Sequence, residues 1–306
     1  MNNKSEVVIG VLSTPIGIAK RRLHLKLHKN ERIDILEFNR WLSQRILESR
    51  PTAVVRFGET EMRSLKKYAI NKAFGLKLKY SKECTRLCQH AGFFPDNEKL
   101  IEKYCKYNIE NLDQVDAIGV WDLPMERYYI KRYMSAPIQT ELGNLEPYYC
   151  EEPWSKALEG KKVLVVHPFD QSIKQQYEQN RDRIFGNKDI LPQFELLSYK
   201  AVQSMGGTPD GNYKDWFQAL DTMEREISEL NFDVAIVGCG AYGLPLTLRI
   251  KKMDKIAIHL GGATQMLFGV YGKRWENSEY INEFWIRPNE DEKSRNYAMI
   301  EHGCYW

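Results

Sequence analysis

"VAIVGCGAYG" (residues 234–243) is four apolar residues followed by three glycines spaced G-x-G-x-x-G: Gly238, Gly240 and Gly243. A short apolar run without alternation belongs to a strand buried on both faces, and the glycines mark the turn out of it into a helix. Such a turn can bring backbone N–H groups close to a phosphate at the helix N-terminus, or it can be a tight turn and nothing more. Three further runs of the same kind lie nearby: "KVLVVHPF" (162–169), "FELLSY" (194–199) and "KIAIHL" (255–260). Helix-length segments separate most of them, notably "DWFQALDTMEREISEL" (215–230). In the first half, "TAVVRF" (52–57) and "AIGVW" (117–121) read as strands, with helical spacing over 33–47, from Glu61 onward and through Ile109. Strand and helix in alternation, with strands apolar on both faces, predict an open doubly wound α/β fold whose mostly parallel sheet carries helices on both sides. An N-terminal arm and helix (1–50) would precede one main domain (51–306), with a weak internal boundary near 145–160.

Composition narrows the class of protein. The chain has 306 residues, 43% hydrophobic and 12% aromatic, enough for a substantial core. Its formal net charge is +3, which argues against bulk nucleic-acid binding, so any anionic ligand must be recognised locally. Six scattered cysteines lack the density of a disulfide framework and suit a reduced, cytoplasmic setting. Cys84 and Cys88 stand four apart on an expected helix, but no second Cys/His pair at zinc spacing follows them. No stretch is long and apolar enough to be expected to span a membrane. The basic segment "KRRLHLKLHK" (20–29), with its interleaved leucines, reads as a solvated arm, or as a peripheral contact with the inner face of the cell membrane.

In a doubly wound sheet, ligands bind beyond the carboxyl ends of the strands. The unusual polar clusters of this sequence fall there. Glu59 and Glu61 follow the first expected strand, with Arg56 beside them; Trp121, Asp122 and Glu126 follow the second; His167, Pro168 and Asp170 follow the third; "GCGAYG" and "GGATQ" (261–265) close the last two. Each has a plain structural reading as well. Acidic residues favour the first turn of a helix, an aspartate after a strand is usually a cap, and a glycine is usually a turn.

Taken together, "RFGETE", "VVHPF", "GCGAYG" and "HLGGATQMLFG" resemble the GT-D class of glycosyltransferases, encoded among bacterial surface-polysaccharide and protein-glycosylation genes, over residues 52–275. The resemblance implies a Rossmann-like sheet, a nucleotide-sugar donor and a divalent metal (Mn²⁺ or Mg²⁺) held by an Asp-x-Glu pair. That pair falls on Glu59 and Glu61, with Glu in place of the usual Asp at 59. It also implies donor contacts from Arg56, Gly58, Glu59, Glu61, His167, Gly238, Gly240, Tyr242, Gly243, Gly262 and Gln265. A uridine diphosphate (UDP) sugar is the expected donor and a glycan, glycolipid or glycoprotein the expected acceptor, and a homodimer is compatible with this reading.

The chemistry fits independently of the class name. A departing diphosphate needs its growing charge stabilised by a metal, by cations or by backbone donors. Hard oxygen ligands suit Mg²⁺ or Mn²⁺, and Arg56 can pair with carboxylate or phosphate. Asp122, Glu126 and Asp170 are candidates for the base that activates the acceptor hydroxyl, while His167 is expected to pack or hydrogen-bond. Two other readings remain. An NAD(P)-dependent oxidoreductase would use the same glycine loop but wants an acidic residue ending the next strand, where this chain has "IHLGG". A non-catalytic nucleotide-sugar-binding module would keep the glycines and could dispense with Glu59 and Glu61.

Overall fold

The computed structural model describes residues 3–12, 31–204, 211–294 and 296–306. Seven strands form one sheet: β1 Thr52–Arg56, β2 Ala117–Val120, β3 Ile138–Glu141, β4 Lys162–His167, β5 Glu195–Lys200, β6 Val234–Val237 and β7 Ile256–His259. They lie in the order β3-β2-β1-β7-β6-β4-β5 with every pairing parallel, and the sheet does not close into a barrel. This is an α/β Rossmann-like fold. The basic segment 20–29 lies outside the described residues.

Six strands fall where the apolar runs of the sequence place them, within two residues at each end. The seventh, β3, is the edge strand "IQTE", in which only Thr140 is fully buried. It has no apolar run to betray it.

Alternation along the strands divides the core in two. Val55, Ile118, Leu164, Val166, Ala235, Val237 and Ala257 face one layer; Val54, Ala117, Val163, Val165, Ile236 and Ile258 face the other. The first layer is covered by α1 (Asn3–Leu12), α3 (Glu59–Phe74), α4 (Ser81–Ala91), α5 (Glu98–Glu110), α6 (Glu126–Tyr133), α8 (Trp216–Ser228) and α9 (Gly243–Lys251). The second is covered by α2 (Ile35–Leu47), α7 (Asp170–Ile184) and α10 (Ala263–Leu267). The 3₁₀ turns between Leu142 and Leu158 join this second layer: Leu145, Tyr148, Trp154 and Leu158 are buried in the same cluster as α2, and Asn39 of α2 accepts from the Trp154 N–H at 2.7 Å.

α8 shows how the sequence makes these layers. Asp215 caps it by accepting from the Gln218 N–H at 2.9 Å, and Trp216, Leu220, Met223 and Ile227 recur at helical spacing on the buried side. Emptying that face by Leu220→Ala costs about 2–5 kcal/mol.

The topology opens a crevice. The connection out of β4 runs outward to β5, whereas the one out of β6 runs inward to β7, so the loops following β4 and β6 part from each other. Among the described residues no helix is long and apolar enough to cross a membrane.

Candidate functional site

A cavity of about 1010 Å³ opens along the carboxyl rim. The ends of β1, β2, β4, β6 and β7 all reach it, through Arg56, Trp121, His167, Gly238 and His259. Five of the strand-end loops marked in the sequence therefore share one space.

α3 brings the acidic pair. It begins at Gly58, which offers no side-chain cap, and puts Glu59 and Glu61 in its first turn, where the free N–H groups favour negative charge. The two carboxylates then diverge. Glu59 is exposed and ion-paired with Arg63 one turn on, accepting from Nε at 3.1 Å. Glu61 is half-buried and turns back over Gly58, where a Cβ would stand 1.8 Å from Glu61 Oε2. Burial raises the Glu61 pKa, its own backbone N–H and Arg56 lower it, and Glu301 and Glu59 raise it again. Behind Glu61 a void of about 10 Å³ is shared with Tyr104, Asn108 and His259.

Arg56 is the central cation. Its Nε and one terminal N–H donate to the Phe57 carbonyl at 3.3 and 3.2 Å, and its guanidinium lies 4.8 Å from the Trp121 ring. Trp121 in turn donates from Nε1 to the Phe57 carbonyl at 3.0 Å, fixing the platform. Gly261, at φ 64°, leaves the room that a terminal Arg56 nitrogen occupies, 3.1 Å from where a Cβ would be.

Two buried imidazoles form the floor. His167 Nδ1 accepts from the Phe169 N–H at 3.0 Å, so its proton is on Nε2. Burial lowers its pKa to about 3. His259 is lowered to about 3 as well, first by burial and then by the Arg56 cation. Gly238 and Gly243 are glycines because of these rings and their neighbours. A Cβ at 238 would lie 2.6 Å from the Gly261 carbonyl oxygen and 2.8 Å from His167, and one at 243 would lie 2.1 Å from His259 Nε2. Gly240 combines φ 55° with a Cβ position 2.6 Å from the Ala91 carbonyl oxygen. The G-x-G-x-x-G spacing thus has a packing cause at every glycine.

Not every residue marked in the sequence reaches the cavity. Asp122, at φ 60°, is ion-paired with Arg32, and the pair is largely withdrawn from solvent. Glu126 is buried beneath the rim, accepting from the N–H groups of Trp121 at 3.2 Å and Leu123 at 3.0 Å, and burial raises its pKa to about 7. Asp170 starts α7 outside the cavity lining, its pKa raised by burial and lowered by Lys200. Tyr242 stacks on Trp216 in the core, ring centroids 5.0 Å apart, and Gly243 packs against His259 beneath the lining. Nor does α7 offer its N-terminus to an anion, because Glu292 accepts from the Gln171 N–H at 2.8 Å and the Ser172 N–H at 3.2 Å. Gly58, Glu59, Glu61, Gly238, Gly240, Gly262 and Gln265 do line the cavity with Arg56 and His167.

The cavity also has walls that the sequence reading did not name. Glu146, from the turn after β3, is raised in pKa by burial and lowered by the Tyr148 hydroxyl and Arg56. Arg86, Gln89 and His90 come from α4. The segment 300–306 closes one side. Gln265 Nε2 donates to the Tyr305 carbonyl at 3.2 Å, and Arg274 lies 4.7 Å from the Tyr305 ring while pairing with Glu301. Among the described residues the group of metal-capable side chains with ligand atoms within 4.8 Å of one another is Cys84, Cys88 and Asp96, none of which lines the cavity. Asp96, which accepts from the Thr85 hydroxyl at 2.9 Å, is the member of that group that Cys/His spacing could not reveal.

No family model matches the sequence, and no curated protein matches it. Among solved structures, the chain is similar to one described as "Selenomethionine substituted structure of domain of unknown function 1792 (DUF1792)", with a TM-score of 0.46 and 14% identity over 94% of this chain and 96% of that one.

Proposed function

We propose that this protein is a glycosyltransferase that takes a sugar from a nucleotide-sugar donor, with a UDP-sugar the first to test. One observation carries the reading: at the carboxyl rim a single cavity holds the carboxylates Glu59, Glu61, Glu146 and Glu301 together with Arg56, Arg86 and Arg274. A diphosphate leaving group calls for the cations, and an acceptor hydroxyl calls for a carboxylate base.

The donor set suits a hard divalent cation in part. Glu59 and Glu301 both push the Glu61 pKa up, so each repels the Glu61 carboxylate, and a cation beside Glu61 relieves that repulsion. They do not form a closed group of three ligands, however, so Glu61, and Glu59 once released from Arg63, would bind Mn²⁺ or Mg²⁺ jointly with the donor's phosphates. Bound there, the cation would neutralise the departing diphosphate. Arg56 and Arg274 supply positive charge from the protein itself. Glu301 is held by Arg274, which leaves Glu146 as the base we assign to the acceptor hydroxyl. The acceptor would be a glycan, a glycolipid or a glycoprotein.

The test is a binding titration of UDP- and thymidine-diphosphate sugars, and separately of NADH, with Mn²⁺ and with excess chelator. Metal-dependent binding of a nucleotide sugar, with Glu146→Gln lowering kcat while donor affinity holds, is the expected result. Tight NADH binding in chelator, with no response to any nucleotide sugar, would replace the transferase with an oxidoreductase.

A further inference from the structure

α3 has a second end. From the rim it runs 16 residues to Phe74, about 24 Å at 1.5 Å per residue, and stops at Gly75 in the left-handed conformation, φ 65°. Residues 76–80 then lead without helix or strand to α4. This loop is held in place. Asn71 donates from Nδ2 to the Leu78 carbonyl at 3.0 Å and accepts from the Leu78 N–H at 3.1 Å, and Lys67 Nζ donates to the Lys79 carbonyl at 2.8 Å.

Although ordered, the loop shows its apolar side chains to solvent. Phe74, Leu76 and Leu78 are 39%, 46% and 45% exposed, and they make up three of the seven exposed large apolar residues among the described ones. Scattered single leucines on a surface need no explanation, whereas three within five positions form a patch. Its charge is equally uneven. Residues 66–82 contain Lys66, Lys67, Lys72, Lys77, Lys79 and Lys82 and no carboxylate, in a chain whose net charge is only +3. Lys67 and Lys72 are paired with Glu83 and Glu102. Lys66, Lys77, Lys79 and Lys82 have no carboxylate partner among the described residues.

We infer that this loop docks the protein on an anionic membrane surface. Phe74, Leu76 and Leu78 enter the boundary between headgroups and acyl chains, while Lys77 and Lys79, which alternate with the leucines, lie against the anionic headgroups with their stems on the apolar side. A nucleic acid would use the lysines and leave the leucines idle, so the apolar half of the patch selects lipid. The site is at the far end of α3 from the cavity and does not depend on the transferase reading.

The experiment is flotation of the full chain with vesicles of phosphatidylcholine alone and with one third phosphatidylglycerol, at low and high salt. Two double variants are compared, Leu76→Ser with Leu78→Ser and Lys77→Glu with Lys79→Glu; all four side chains are exposed, and thermal melts confirm that the variants are folded. The wild type should bind only the anionic vesicles, less at high salt, and each double variant should bind at least about tenfold more weakly. No binding by the wild type, or binding unchanged in either double variant, overturns the inference. So does capture by RNA that competes away the vesicles and is indifferent to the leucine substitutions.

Discussion

The Glu61 carboxylate occupies the space that a side chain on Gly58 would fill, with Oε2 1.8 Å from the position of a Cβ there. Gly58 has φ −88° and ψ 150°, which alanine adopts without strain. The obstructing atoms are the end of a flexible side chain. Gly58→Ala should therefore leave the fold intact, with Tm within a few degrees of the parent, and swing Glu61 away from its place in the cavity. Donor affinity should fall as far in Gly58→Ala as in Glu61→Ala, and calorimetry on the two variants checks it.

Gly240 is expected to behave in the opposite way. Its φ of 55° and the Ala91 carbonyl oxygen 2.6 Å from its Cβ position leave a side chain no escape, because the obstacle is backbone. Gly240→Ala should cost about 1–3 kcal/mol from the left-handed backbone alone, with the contact adding to it. Chemical denaturation measures the loss; a variant as stable as the parent but impaired in donor binding would restore the glycine to a phosphate-binding role.

His167 and His259 should make the protein sensitive to acid. Each has a folded pKa of about 3, below its ordinary value of 6.5, so the unfolded chain takes up protons first as pH falls. Their contribution is present above pH 6.5 and is lost as pH drops toward 3, on the order of several kcal/mol together. Unfolding midpoints measured from pH 7 to pH 4 should fall more steeply in the parent than in His167→Gln.

Glu126 titrates with the other sign. Burial raises it from 4.5 to about 7, so the proton it holds stabilises the fold at acidic pH and that stability is lost as pH rises through about 7. Glu126→Gln, which keeps a carbonyl oxygen for the Trp121 and Leu123 N–H groups, should gain on the parent as pH goes from 5 to 8, by up to about 3 kcal/mol. A stability difference that does not move with pH would show that Glu126 is ionised throughout.

The sheet was legible because a parallel strand covered on both faces must be apolar throughout. "KVLVVH" and "VAIV" therefore announce themselves, whereas edge strand β3, with one fully buried residue, does not. The rim loops were legible for a related reason, since a parallel sheet sends every strand's exit to the same edge. What could not be read was direction. Asp122 and Glu126 follow a strand as surely as Glu61 does, but Arg32 draws one aside and two N–H groups draw the other beneath the rim. Glu146, Arg274 and Tyr305 arrive by packing across long stretches of chain, and no local pattern marks them. The glycines were legible as a motif and ambiguous as to cause, because room for a phosphate and room for an imidazole leave the same letter in the sequence.

That ambiguity turns into a statement about descent. Position 243 can be occupied only by a residue that clears the ring at position 259, and position 238 answers in the same way to position 167 and to the backbone at 261. The two pairs are coupled sites. Among chains that share this sheet, a larger residue at 243 should appear together with a smaller one at 259, and a lineage that has lost the imidazole should be free to lose the glycine.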